Sequence, residues 1–384
     1  MYSLWDYCRM IEDPVRTDAY LAALRRVITP ESTVVEIGTG TGFFAVMAVR
    51  MGARHVYAIE ADPAIAAARE VAEVNGCADR IEFIEAMSTE VTLPEQGDVL
   101  LSDLRGVLPA HQLHIPTIVD ARVRLLRPGG VQVPHQDVLW MALLESEETS
   151  AFHLRNGDPA PYGVDFAPVH QRLAHTWRKR RVEAQDLISA PAEWTRIDYR
   201  TVVDPTVGGT ARLTAARDGV VHGVSAWFEA CLLPGIGFTN APGSPEAVYG
   251  QAYFPFPAAV GVRAGEEIEV TLEGRLAGSE YLWRWRAHGG GEGLADAWSC
   301  DQSTFFGTPL SVEALRRRAP SFVPRVNDGG KLDAWILSRM DASRSVQAIA
   351  AEATARFPDQ LKSPFEALAR VGDLAERYAD GSSR

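Results

Sequence analysis

The sequence predicts a mixed architecture: a Rossmann-type α/β domain, then an all-β domain of barrel or sandwich form, then a small helical module. Three observations carry this. Up to about residue 140, short β-branched runs alternate with helical stretches, the pattern of an α/β parallel sheet. Between Trp140 and Trp298 lie seven of the nine tryptophans, among alternating segments separated by Gly/Pro turns. From about Pro320 apolar residues return at helical spacing. The expected domains are 1–140, 141–318 and 319–384.

Element by element, Thr33-Val34-Val35-Glu36-Ile37 reads as a strand, followed by a glycine turn and a helix from Phe43 to Met51. His55 to Ile59 is the next strand. Asp62-Pro63 opens a helix with an aspartate N-cap and a proline at N1, and Gly76 closes it. Ile81 to Ile84 and Asp98 to Leu101 are two further strands, and Arg127-Pro128-Gly129-Gly130 reads as a turn. In the β region Arg196 to Arg200 and Glu267 to Leu272 alternate apolar with polar residues. Leu332 to Met340 and Ser345 to Phe357 are helical, and Ser363-Pro364-Phe365-Glu366 is a capping box opening a third helix.

Composition narrows the function classes. With 384 residues, 46% hydrophobic and 23% charged, the chain has the balance of a soluble globular enzyme. No apolar run approaches the roughly 20 residues that span a bilayer. The start, MYSLWDYCRMIEDP, lacks the basic and apolar stretches of a signal peptide. Cys8, Cys77, Cys231 and Cys300 are scattered, with no paired spacing for a metal or a redox disulfide. These features point to the cytoplasm. A net charge of −12 weighs against nucleic-acid and membrane partners. The basic runs Arg178-Lys179-Arg180-Arg181 and Arg316-Arg317-Arg318 read as solvated faces or ion-pair rims.

The strongest local signal is Glu36-Ile37-Gly38-Thr39-Gly40-Thr41-Gly42. Glycines here let the backbone turn sharply after a strand and approach a ligand with no Cβ in the way. Glu60 ends the next strand, placed to accept hydrogen bonds from two ribose hydroxyls. A dinucleotide site wants G-x-G-x-x-G, but here glycines stand at every second position and Phe43 follows. That spacing, with Glu36 two residues ahead of Gly38, suits S-adenosylmethionine, which has no pyrophosphate. A nicotinamide oxidoreductase is correspondingly disfavoured.

Beyond the glycine turn the sequence resembles the protein arginine methyltransferase family over about residues 1 to 290. Tyr7 to Tyr20 is similar to the family's N-terminal helical segment, which implies that Arg16 grips the cofactor carboxylate and Met10 packs on the cofactor. Glu85 to Glu90 resembles the adenine-side loop, with Met87 and Ser88 nearest the base. Ser102-Asp103-Leu104-Arg105-Gly106 aligns with the loop carrying the family's first catalytic glutamate. Tyr162-Gly163-Val164-Asp165, Trp227-Phe228, Gly237 to Pro242 and Gln251 resemble its C-terminal β-barrel. The resemblance implies a Rossmann domain, a barrel and a homodimer formed through an arm near residues 150 to 185.

Three departures bear on the acceptor. The family clamps a guanidinium between two glutamates; here the first is Asp103, one methylene shorter, and the second falls at Gln112, a neutral amide. The family's Thr-His-Trp loop is replaced by Ala247-Val248-Tyr249, losing a histidine that pairs with an N-terminal aspartate. The expected activity is methylation of a nitrogen or oxygen on a peptide or peptide-derived small molecule. The alternatives are an arginine methyltransferase with a degenerate clamp and a non-catalytic cofactor-binding partner protein.

Asp103, His111 and His114 are the candidate bases, with Arg105, Gln112 and Tyr249 on the substrate side. Asp103 follows the apolar strand Val99-Leu100-Leu101, where partial dehydration is expected to raise its pKa. The segment Leu332 to Tyr378 resembles the small PqqD-like domains, which bind leader peptides of ribosomally made natural products.

Overall fold

The computed structural model describes residues 2–155, 160–290, 297–309 and 311–379. The chain opens with α1 (Leu4–Glu12) and α2 (Pro14–Val27), parted at Asp13. The Asp13 carboxylate accepts the amides of Val15 and Arg16, and Pro14 sits at N1, where the missing N–H costs nothing.

Five parallel strands follow, β1 (Thr33–Ile37), β2 (His55–Glu60), β3 (Ile81–Glu85), β4 (Gly97–Ser102) and β5 (Leu126–Val133). They are joined by α3 (Phe43–Arg50), α4 (Ile65–Val74) and α5 (His114–Arg124). The strand order is β3-β2-β1-β4-β5, so the winding reverses between β1 and β4. That switch point is where open α/β sheets take ligands, outside the carboxyl ends of the strands. Every residue of β1 is buried, because helices cover both faces.

Two elements differ from expectation. The helix predicted to start at Asp62-Pro63 begins at Ile65; the Asp62 carboxylate instead accepts the Ala64 amide and closes the preceding turn. Arg127-Pro128-Gly129-Gly130 is no free turn but lies inside β5. The register slips there, Gly97 opposing Leu126 and Val99 opposing Val131, so the proline and glycines form a bulge with Gly129 at φ +77°.

The β region comprises β6 (Gln136–Leu144), α6 (Glu147–Leu154), α7 (Ala167–Leu173), β7 (Arg178–Arg180), β8 (Ala192–Asp198), β9 (Val207–Thr214), β10 (Gly219–Leu233) and β11 (Ile236–Thr239). It continues through β12 (Gln251–Val262), β13 (Glu267–Ala277), β14 (Glu280–Gly289), β15 (Trp298–Ser303) and α8 (Thr304–Gly307). One antiparallel sheet runs β7-β12-β10-β6-β8, with β11 on β10, and the other β15-β14-β13-β9. Together they make a barrel-like body. Strict alternation along β14 sends Tyr281, Trp283, Trp285 and Ala287 inward to meet Phe254 and Phe256 of β12. The basic run at 178–181 forms an ion-pair rim at Arg181, which pairs with Glu183 and Glu246, while Arg178 to Arg180 supply the edge strand β7 and Arg180 lies over the Phe152 ring. Of the arm expected near 150–185, residues 156–159 lie outside the described residues.

The chain divides into two units, Met1–Pro309 and Leu310–Arg384. The second holds α9 (Val312–Arg318), α10 (Asp328–Leu337), α11 (Val346–Arg356) and α12 (Pro364–Tyr378) around Leu332, Ile336, Ile349, Ala353 and Val371. Ser363 caps α12 through the Glu366 amide, whereas the Glu366 carboxylate accepts the amide of Lys362, one residue ahead of the expected cap. No helix among the described residues is long and apolar enough to cross a membrane.

Candidate active site

A cleft of about 500 Å³ opens at the carboxyl ends of β1, β2 and β4. After β1 the chain bends back so that the amides of Gly38 and Thr39 both donate to the Ile59 carbonyl of β2. This requires left-handed backbone at Gly38 and Gly40 (φ +76° and +54°). A Cβ on Gly40 would lie 2.5 Å from the Tyr7 ring, so glycine also lets α1 close over the loop. Gly42 has a different task. It stands outside the cleft lining, and a Cβ there would meet Ala68 of α4 at 2.9 Å.

Glu60 is oriented by the amides of Gly40 and Asp62, at 2.9 and 3.0 Å, one on each carboxylate oxygen. A carboxylate has about four acceptor positions, so two remain for hydroxyl donors. Glu36 is buried and accepts the Thr39 hydroxyl at 2.8 Å. With no cation bonded to it among the described residues, burial pushes its carboxyl up to about 8. Met10, Arg16, Gly38, Gly40 and Met87 line the same cleft. Ser88, expected beside the adenine, does not: it is buried beneath, its carbonyl accepting from Arg124.

Opposite the glycine loop, Asp103 stands at the centre of an ion network. Its Oδ2 accepts Arg16 Nε at 2.5 Å and the Tyr249 hydroxyl at 2.7 Å, and its Oδ1 accepts Arg105 Nη1 at 2.9 Å. Burial by itself would raise the Asp103 pKa, as the sequence led us to expect, but the two guanidinium charges and the Tyr249 bond outweigh it and hold it near 2. The expected basicity is therefore corrected.

Arg105 lies at the cleft, as the sequence put it, but its guanidinium is committed internally: it clamps Asp137 with Nε and Nη2 at 2.8 and 2.9 Å and donates to the Tyr20 hydroxyl, leaving no side-chain surface exposed.

The loop from Asp103 to α5 forms the acceptor side. Gln112 is exposed at φ +42°, a backbone state uncommon for a residue with a Cβ and concentrated at functional loops. His114 is buried with Nδ1 2.8 Å from the Pro109 carbonyl, and burial together with the Arg105 charge takes its pKa down to about 4. His111 is half-buried and packs on Gly106, where a Cβ would meet its ring at 2.7 Å. Burial lowers its pKa, and the Glu280 carboxylate across the cleft pulls the other way.

Glu280 and Ser279, on the β13–β14 hairpin, were missed by sequence reasoning. The Gly278-Ser279 turn marks a hairpin, but nothing in it tells which end of the barrel faces the cofactor. Asp13, besides capping α2, accepts the Val248 amide at 2.8 Å, so a main-chain donor replaces the absent histidine.

The residues present fit S-adenosylmethionine: a Cβ-free loop, an oriented Glu60 with spare acceptors, and the buried Glu36, which has no ion-pair partner among the described residues. Among the described residues no cluster suits a metal ion.

Known proteins agree with this arrangement. Residues 16–116 match the family described as ribosomal protein L11 methyltransferase (PrmA), and residues 138–277 match the arginine methyltransferase oligomerization subdomain. The chain is 30% identical over 284 residues to protein arginine N-methyltransferase 1 of Schizosaccharomyces pombe, covering 71% of this chain and 82% of that one. It is also 30% identical over 292 residues to an arginine N(omega)-methyltransferase of Streptomyces achromogenes subsp. streptozoticus, covering 73% and 77%. Among solved structures, the Trypanosoma brucei PRMT1 enzyme-prozyme heterotetrameric complex with AdoHcy superposes with a TM-score of 0.70 at 21% identity, covering 78% of this chain and 97% of that one. Arabidopsis thaliana protein arginine methyltransferase 10 superposes with a TM-score of 0.69 at 22% identity, with the same coverage.

Proposed function

Since the chain belongs to the protein arginine methyltransferase family and is a class I S-adenosylmethionine-dependent methyltransferase, we propose that it methylates a nitrogen or oxygen of a peptide or peptide-derived small molecule. The observation that carries this is the acceptor side of the cleft. Asp103 is already neutralised by Arg16 and Arg105, and position 112 offers an uncharged amide. A guanidinium drawn out of water there lacks the two free carboxylates that would offset its lost hydration. Arginines in generic protein tails are accordingly poor acceptors.

The cofactor supplies an electrophilic methyl group on a sulfonium, so positioning and exclusion of water do much of the work. In this reading Glu60 takes the ribose hydroxyls, Arg16 the cofactor carboxylate, and Met10 and Met87 the apolar surfaces. Asp103 and Tyr249 position Arg16. His111, neutral and facing the cleft, receives the proton that leaves the acceptor, and the Glu280 charge stabilises the imidazolium formed.

The resemblance of the C-terminal unit to leader-peptide-binding domains supports a peptide acceptor. The match to an oligomerization subdomain supports a homodimer. The expected setting is the cytoplasm, without nucleic-acid or membrane partners.

A second reading is favoured by the Streptomyces relative, whose name specifies arginine. There the acceptor is a small guanidino compound, and Glu280 serves as its free carboxylate. Intact-mass analysis of the enzyme with S-adenosylmethionine and three acceptors separates the readings. Methylation of candidate precursor peptides supports the first, and methylation of free arginine supports the second. Efficient methylation of glycine-arginine-rich protein tails overturns both.

A further inference from the structure

Along the edge strand β5, from Leu126 to Gln132, lies a second recess of about 670 Å³ that shares no described lining residue with the cofactor cleft. Arg26 at the end of α2, Arg122 on α5, Arg127 on β5 and Arg200 after β8 all line it, and among the described residues no aspartate or glutamate does. This collects cations in a chain whose net charge is −12.

The four arginines are not equally engaged. Arg127 is paired with Asp98 at 2.5 Å and Arg200 with Asp198 at 2.6 Å. Among the described residues Arg26 meets only the Pro234 carbonyl, and Arg122 only the carbonyls of Tyr199 and Val202. Two guanidinium charges are thus held in place by neutral acceptors, with donors to spare.

An independent observation points the same way. Gln132 of β5 lines the recess at 3% exposure, and neither its Nε2 nor its Oε1 has a hydrogen-bond partner among the described residues. A buried amide is ordinarily bonded at both ends, because leaving it unmatched forfeits its hydration without return.

We propose that this recess binds a small multivalent oxyanion, with Arg26 and Arg122 carrying the charge recognition and the Gln132 amide fixing one further oxygen. Its volume falls in the range of small-molecule sites, roughly 300–1,000 Å³, and is too confined for a folded partner. The shared chemistry is two or more anionic oxygens on one body, from either a phosphate or a polycarboxylate source. Nothing in the methyl-transfer reading requires this site.

Calorimetry on the full chain at low ionic strength, with pyrophosphate and citrate as probes and sodium chloride as the ionic-strength control, tests it. Saturable binding is expected for at least one probe, and the tighter of the two identifies phosphate or carboxylate as the preferred source. Arg26→Ala and Gln132→Leu should each weaken that binding by about tenfold, the scale of one lost hydrogen bond to a charged group. Adenosylhomocysteine affinity, read on the same variants, should stay unchanged and so report an intact fold. The proposal is overturned if neither probe saturates, if sodium chloride reproduces the heats, or if both variants bind as the parent does.

Discussion

Glu36 shows how a single buried carboxyl ties folding to the cofactor. Its pKa is about 4.5 in the unfolded chain and about 8 in the fold. Between those values the folded state holds one proton more, so stability falls as pH rises through the window and the loss is complete above it. Urea denaturation should show Glu36→Gln flattening that slope and exceeding the parent's stability at pH 8 when no cofactor is present. The cofactor brings cationic sulfonium and ammonium groups, which favour the carboxylate, so binding near pH 7 should release a proton from the parent but not from Glu36→Gln. Calorimetry in buffers of different ionisation enthalpy reads this directly. His111 supplies a second titration. Because burial sets its pKa below 6.5, kcat/KM should rise with pH through a midpoint under that value. His111→Asn should remove this limb and cost roughly hundredfold in kcat; an unchanged profile would place the base elsewhere. Glu36 and Glu60 could be read from sequence because Glu36 stands in a β-branched strand two residues before the glycine turn and Glu60 ends the next strand. The state of Asp103 could not. Besides Arg105 two residues on, its controlling partners Arg16 and Tyr249 lie 87 and 146 residues away, and no local pattern reports such a pairing.

At the scale of elements, β1, β2 and β4 were legible because burial leaves them as mainly apolar runs, and β3 because Ile81, Phe83 and Ile84 recur among charged residues along a partly exposed edge. The bulge in β5 was not, since Pro128-Gly129-Gly130 is locally indistinguishable from a turn until β4 is seen pairing on both sides of it. The three glycines of the β1–α3 loop look equivalent in sequence yet divide by task. Gly42→Ala forces an L-residue into φ +80° at about 1–2 kcal/mol and adds a close contact with Ala68 of α4. The expected outcome is a lower denaturation midpoint with adenosylhomocysteine affinity kept. Gly40→Ala drives a methyl into the Tyr7 ring at the cleft and should weaken cofactor affinity as well. If both variants lose cofactor affinity alike, Gly42 belongs to the binding loop and its assignment to helix packing fails.

For the first unit as a whole, the decisive feature is the buried network joining the α/β sheet to the barrel. Arg105, from the loop after β4, forms its two-pronged pair with Asp137 of β6. Tyr20 of α2 and Tyr199 beyond β8 complete the set, Tyr199 donating to Asp137 and Tyr20 accepting from Arg105 while donating to the Ser102 carbonyl. The Arg105 and Asp137 side chains have no exposed surface, and Phe228 and Phe238 cover the guanidinium. Each charge is therefore compensated only by the others. Removing one leaves its partner unpaired in a medium that cannot hydrate it, which typically costs 3–5 kcal/mol. Asp137→Ala should lose stability on that scale in urea denaturation. Because Arg105 also bonds Asp103, which positions Arg16, adenosylhomocysteine should bind more weakly too. Replacing both ends together separates the fold from the site. Arg105→Met with Asp137→Leu removes both charges and keeps apolar volume, so it should recover much of the stability lost by Asp137→Ala. It should not recover cofactor affinity, since Asp103 then lacks one of its two cations. If the double variant restores both properties, the network braces the two layers and nothing more. If it restores neither, the ion pair itself is needed to hold the barrel in register with the sheet.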